Sequence, residues 1–352
     1  MDLQVDAAHK LPVRCDTLDS ENHNLFLGSG GVLYGTAQYG GSGQCAAQYG
    51  SGCGVVFELV PPPPSGGGWL EATLHNFTGG SNGAFPNTGI VIGSGGVLYG
   101  TTQPNANTAT IFSLQPSRGL LPSINAVGVV NAASYTAPVA PGSIASAFGD
   151  FFLSSPLGAT QSPLPTDISG ASLQFGDGTR APLFFVSGGQ MNFQVPWELS
   201  GQSVTLAVTV DGQTGAAQTI PLAPFAPAIF TVDGQGSGPG AILDASYQLV
   251  NSSNPATAGS TILIFCTGLG QVTNQPPTGS PAPLSPLSWS GTPTVTIGGV
   301  PANVSFSGLA PGYVGLYQVN AQVPAGLAAN DAVPVVLQMG GTTSNAAAIA
   351  VQ

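Results

Sequence analysis

Charge is what this sequence has least of. Asp, Glu, Lys and Arg make up 5% of the 352 residues, and the formal net charge is −11; soluble domains commonly carry about a quarter charged residues. The basic residues are Lys10, Arg14, Arg118 and Arg180, and none follows Arg180. Without a cationic patch nothing neutralises a phosphate backbone, so nucleic acid is not an expected partner, and neither is an anionic membrane surface. No run of about 18 apolar residues occurs, so no membrane span is expected. No histidine follows His75, so a Ser-His-Asp or Cys-His site would have to draw on the N-terminal segment. There is no G-x-S-x-G elbow. Gly234 to Gly240 is glycine-rich, but no lysine follows and no βαβ context surrounds it, which argues against a phosphate loop. The acidic residues are scattered singly, and Asp150, Asp167, Asp177 and Glu198 would have to converge in space for paired-carboxylate chemistry. Four cysteines without CxxC spacing give no zinc signal. No cofactor, no metal and no enzymatic activity are expected.

What is abundant points to turns and short strands. Glycine numbers 51 and proline 31; the first costs backbone entropy in a helix and the second removes a donor. The 42% of hydrophobic residues and their regular alternation argue against disorder. The expectation is an all-β chain with two consecutive immunoglobulin-like β-sandwiches after a partial β-repeat, propeller-blade-like segment. The expected boundaries are 1–122, 123–226 and 227–352.

In residues 1–122 the stretch from Gly28 to Thr36, GSGGVLYGT, recurs from Gly93 to Thr101. A second short strand follows each, Val55–Leu59 and then Thr110–Leu114, and the apolar stretch Trp69–Phe77 lies between the copies. Repeats of a few short strands at a fixed period stack on one another, and three or more are normally needed for stability. Under two are present here, so either upstream repeats are missing or the segment packs on the next domain. Cys45 and Cys53 flank a glycine-rich loop and are expected to form a disulfide. Cys266 follows an apolar strand and is expected to be a small buried hydrophobe. The run Pro61–Gly68 reads as a connector, and His75 as structural.

The segment Gln190–Pro196, QMNFQVP, returns as Gln318–Pro324, QVNAQVP. Around this pair, residues 123–352 read as one unit written twice. Val130–Ala133 is matched to Val250–Ser253, Gly142-Ser143-Ile144 to Gly259-Ser260-Thr261, and Phe175 to Ile297. Val204, Leu206, Val208 and Val210 are matched to Val333, Val335, Leu337 and Met339. Each alternating run ends in a hairpin pair, Asp211-Gly212 or Gly340-Gly341. Period-2 alternation with turns every 8–12 residues predicts antiparallel sandwiches. The polar positions of the Gln-x-Asn-x-Gln strand are expected to bond neighbouring strands and loops. One asymmetry stands out: where the first copy has only Gly189, the second has Leu309 to Tyr317. Tyr313 and Tyr317 in that insertion, with Trp197 and Trp289 elsewhere, are the candidate ligand-binding aromatics, because such rings offer area and a polar handle. The alternative for each is packing over a sandwich end.

Two resemblances sharpen this reading. GGVLYGT, the stretch Gly52–Leu59 and Leu74–Gly80 resemble the GloVer tandem repeats of bacterial surface proteins, over about residues 26–115. Residues 124–352 are similar to the Solibacter-type C-terminal domain abundant in acidobacterial proteins. The carrying stretches are Val129–Ser134, Pro141–Ile144, Ala181–Ser187, Gln194–Leu199, Thr267–Gly270 and Ser307–Pro324. The resemblance implies an Ig-like or TIG-like extracellular module of a longer surface protein and carries no catalytic residue across. The expected function is a non-catalytic, secreted or cell-surface structural and adhesive protein, an assembly or filament unit; the alternative is a carbohydrate-binding module using exposed aromatic loops. The expected partners are other copies of the chain or surface proteins, or a polysaccharide. The first residues, Met1 to Asp6, have neither the basic nor the apolar region of a signal peptide, so a leader is expected upstream or lost.

Overall fold

The computed structural model describes residues 25–352 apart from 29–30, 48–49, 62–68, 94–95, 104–108, 117–120 and 154. Lys10, Arg14, Cys15, Arg118 and most of the Pro61–Gly68 connector lie outside the described residues. No α-helix occurs among the described residues, and none of their helices is long and apolar enough to cross a membrane. The chain forms two compact units, residues 1–122 with 152–154, and residues 123–151 with 155–352.

The first unit holds two antiparallel sheets. The first is a meander of β1 (Phe26–Leu27), β2 (Leu33–Ala37), β3 (Val55–Val60) and β4 (Leu70–Asn76). The second contains β5 (Val91–Ile92), β6 (Leu98–Gln103) and β7 (Ile111–Leu114), with β5 and the short strand Ala84–Pro86 on one edge of β6 and β7 on the other. The repeated GVLYGT motif occupies the same place in both. Gly35 lies opposite Phe57, and Gly100 opposite Phe112. A Cβ on either glycine would run into the facing phenyl ring, so the ring lies over a bare Cα and the position demands glycine. Between the sheets sits a core of Tyr34, Val56, Phe77, Ala84, Ile90 and Leu98, with the Phe77 and Phe112 rings edge-on at 5.2 Å. Cys45 and Cys53 are joined in a disulfide across the small hairpin that links β2 to β3. Cys53 is fully buried.

The second unit contains two immunoglobulin-like sandwiches. In the first, β8 (Ser123–Asn131), β9 (Ile144–Asp150), β11 (Leu183–Val186) and β12 (Gln190–Gln194) form one sheet in the order β8-β9-β12-β11. The facing sheet pairs β13 (Ser203–Val210) with β10 (Ala171–Phe175) and β14 (Gln218–Pro221). Leu173, Phe175, Leu183, Met191, Phe193, Leu206 and Val208 are buried between them. In the second sandwich, β17 (Thr261–Thr267) pairs with β20 (Tyr317–Gln322), with β15 (Ala228–Ile229) and with β16 (Ile242–Asp244); β19 (Val304–Leu309) completes that sheet. The other sheet pairs β21 (Asn330–Met339) with β18 (Thr294–Ile297) and β22 (Ala347–Val351).

Cross-strand register repeats residue by residue. Ile144 faces Gln194 as Thr261 faces Gln322. Phe175 faces Leu206 as Ile297 faces Val335, and Val204 faces Ile220 as Val333 faces Ile349. The parallel bridge Val139–Leu222 returns as Ala256–Val351. Asp211-Gly212 and Gly340-Gly341 both have positive φ throughout, as the tight hairpin turn requires. One match is corrected. Asn131 pairs with Ala145, and the residue opposite the equivalent Ile262 is Asp244, not Asn251. An extra hairpin, with Leu243 bridged to Leu249, separates the two, so the shared Val-Asn dipeptide marks different places.

Candidate functional site

The features with the most structural consequence gather where the two sandwiches meet. β12 ends at Gln194, and Val195-Pro196 lead from it to Trp197. Its ring lies over Gly142, where φ is +80° and any Cβ would collide with it, and it joins the buried core of the second sandwich. Its indole Nε1 is buried without an acceptor, so the ring acts as an apolar anchor. The Trp197 backbone N–H donates to Thr278 Oγ1 (3.1 Å), whose hydroxyl donates to Glu198 Oε2 (2.8 Å).

Three buried polar side chains span the same joint. Gln194 Oε1 accepts the Gly279 N–H at 2.6 Å. Thr267 Oγ1 accepts the Ile144 N–H at 2.9 Å and donates to the Gly315 carbonyl at 3.0 Å. Asn131 Nδ2 donates to the carbonyl of Ala226, in the linker, at 2.8 Å. Each is 1% exposed or less, so each bond is made in low dielectric, where leaving a partner unmade is costly. Elsewhere on the Gln-x-Asn-x-Gln strands the side chains bond each other, Gln190 Nε2 to Asn192 Oδ1 at 2.8 Å and Gln318 Nε2 to Asn320 Oδ1 at 2.7 Å.

Of the four candidate aromatics, the structure takes two out of reach of a ligand. Trp197 is the buried anchor just described. Tyr317 is also fully buried; it fills the core beside Cys266, its strand partner, and its hydroxyl donates to the Gly270 carbonyl. Burial pushes its phenol far above the ordinary range, with the Cys266 thiol adding to the effect. Sequence spacing placed Tyr317 in an inserted loop, whereas it opens β20 and shares that strand's buried face with Val319 and Ala321. Tyr313 and Trp289 are exposed, 60% and 47% respectively. They lie on segments that run antiparallel: Ala282 N–H donates to the Tyr313 carbonyl, and Leu309 N–H to the Ser288 carbonyl. Trp289 rests edge-on against Phe306 at 4.8 Å, and Leu284, which precedes Trp289 in the chain, is also exposed.

No cluster of three or more His, Cys, Asp or Glu occurs among the described residues. Asp167 and Asp177 cap their own turns, accepting the N–H of Gly170 and Thr179, while Glu198 accepts from Thr278. His75 Nε2 is 3.0 Å from Asn82 Oδ1. Cys266 is a free, buried thiol whose pKa burial pushes up strongly, so it is held as an unreactive hydrophobe. Sequence reasoning missed Gln194, Thr267 and Asn131 as a joint. Only the mismatch of Trp197 with Ala325, within otherwise doubled Val-Pro-x-x-Leu segments, could have signalled it.

No family model matches the chain, and no curated protein matches it. Among solved structures it is similar to SGBP-B of the Bacteroides ovatus mixed-linkage glucan utilization locus, solved with a mixed-linkage heptasaccharide. That match has 11% identity and a TM-score of 0.29 and covers 80% of this chain; the chain spans 58% of that protein's length. It is also similar to domains 5–6 of the S-layer protein SbsC, with 14% identity, 65% of this chain and 98% of that one covered, and a TM-score of 0.21. The tandem Ig repeats of Dlar match at 12% identity, covering 61% of this chain and 91% of that one, with a TM-score of 0.16.

Proposed function

We propose that this chain is a non-catalytic structural and adhesive protein of the cell surface or extracellular space, in which the paired sandwiches form one stiff strut. The observation that carries the reading is the joint: Trp197 sits in the core of the second sandwich, and buried Gln194, Thr267 and Asn131 bond across it. Inter-domain contacts are by default mobile unless the interface is large and apolar, and a joint that shares a core resists bending. The Cys45–Cys53 disulfide suits an oxidising compartment. Spin labels placed one on each sandwich test the strut. A single narrow distance distribution is expected, broadening in Trp197→Ala; a broad distribution in the unaltered chain would refute it. Labelling of intact cells of the source organism with an antibody tests the location, and a signal only after lysis would refute it.

A second reading, polysaccharide binding, rests on exposed Tyr313 and Trp289. Electrophoretic retardation of the chain by an immobilised polysaccharide, lost on Tyr313→Ala, would favour it. Unchanged mobility against a broad polysaccharide panel would remove it.

A further inference from the structure

The two sheets of the first unit repeat in register, and their burial does not. By the GVLYGT match, Tyr34 and Val56 of the first sheet correspond to Tyr99 and Ile111 of the second: Thr36 faces Val56 as Thr101 faces Ile111. Tyr34 and Val56 are 2% and 0% exposed, whereas Tyr99 and Ile111 are 41% and 82% exposed. Alternate residues of a strand share a face, so these pairs mark one face of each repeat. In the first sheet that face is covered, because it packs on Leu98, Ile90 and Phe112 of the second. In the second sheet no described residue buries it, and Val91 lies exposed beside Tyr99, its strand partner.

The opposite face shows the converse at its Leu25–Leu27 edge, while Leu59 farther along that face is buried at 6%. Ile90 and Leu98 of the second sheet are buried at 5% and 0%, while Leu25, at the position matching Ile90, is 52% exposed. The first repeat therefore ends in an apolar face of the kind that its own partner face accepts. Contiguous exposed apolar surface of this sort marks an interaction site, and a repeat that cannot bury its faces alone does so against a neighbouring repeat.

We infer that the exposed Tyr99–Ile111 face binds the Leu25–Leu27 side of the first repeat of a second copy of this chain, extending between molecules the packing that joins the two sheets within one. The occupant is named by an interface already built in the molecule: the Tyr34 and Val56 face against Leu98, Ile90 and Phe112. Such an interface is head-to-tail, using a different patch on each partner, and it closes into a ring or grows into a filament according to the rotation between copies. This goes beyond the proposed function and is independent of the joint between the sandwiches.

Sedimentation velocity of the full chain over a range of concentrations tests it. The unaltered chain is expected to form oligomers larger than dimers. Ile111→Glu and Leu25→Glu, both at exposed positions, are each expected to weaken self-association at least about tenfold, since a charge would be buried in an apolar contact. Mixing the two variants is the decisive arm, because each retains one intact face. The mixture is expected to give dimers and nothing larger. A monomeric unaltered chain, a variant that oligomerises as the unaltered chain does, or a mixture that stays monomeric would each overturn the inference. Oligomers abolished by Trp197→Ala but untouched by Ile111→Glu would place self-association on the sandwiches instead.

Discussion

The two sandwiches are built on one register, yet their corresponding ends have opposite fates. In the first, Gly142, Gln194 and Trp197 are buried against the second sandwich. In the second, the matching Gly259, Gln322 and Ala325 are exposed. The shared geometry survives at both ends: Gly142 N–H donates to the Val195 carbonyl, and Gly259 N–H to the Val323 carbonyl, each at 2.8 Å. The outward-directed groups differ, with Trp197 replaced by Ala325 and Glu198 by Gly326. Receiving residues differ too. Thr267 and Gly315, which accept the first sandwich, have counterparts in Asp150 and in the gap where the first copy lacks the insertion. The same fold thus makes a sticky end in one copy and a bland end in the other, and the docking is specified by a handful of side chains laid over a common frame.

Substitutions at matched positions can break this comparison. Trp197→Ala should cost about 3–5 kcal/mol, as removal of a buried large aromatic does, and should split one thermal transition into two by calorimetry. Cys266 supplies an independent readout: its buried thiol should react with a thiol reagent only on opening of the second sandwich, and faster in Trp197→Ala. Ala325→Trp, at the bland end, should neither stabilise nor couple anything. Gln194→Ala comes next. It leaves the Gly279 N–H buried without its acceptor, a loss of about 1–3 kcal/mol, whereas Gln322→Ala should stay within about 0.5 kcal/mol in the same denaturant titration. Trp197→Phe should cost less than Trp197→Ala, because the indole N–H makes no bond to lose.

The smallest expected effect is acidic. Asp244 and Asn131 hold equivalent places, and each accepts an N–H two residues on, from Ser246 and Ala133. The Asn254 side chain, and then the Gln248 N–H, hold the Asp244 carboxyl below its ordinary range. Its folded-state pKa is lowered, so its contribution is present at neutral pH and is lost as pH falls below about 4. The second sandwich should therefore weaken slightly in acid, and Asp244→Asn should reduce that dependence, leaving the part due to Asp233, whose carboxyl the Thr231 hydroxyl and then the Gln235 N–H also hold low. An acid response unchanged in Asp244→Asn would assign it elsewhere.

Much of the frame was legible because alternation and turns are local. Val204, Leu206, Val208 and Val210 announce a half-buried strand, and Asp211-Gly212 announces its hairpin, whatever surrounds them. The candidate site was less legible. Tyr317 and Tyr313 sit four residues apart and look alike as letters, but one begins a central strand and the other tops a loop. The Val-Asn dipeptides at 130 and 250 misled for a related reason: a short identity cannot reveal a hairpin inserted between them.

By itself the sequence determined the β class, the doubled unit and the paucity of charge, since these follow from side-chain period, turn chemistry and composition along the chain. Which aromatic is an anchor and which is exposed, which glutamine is buried, and which face of each N-terminal repeat is left bare were decided by the tertiary structure. Burial depends on what arrives from distant parts of the chain, and two identical segments receive different neighbours.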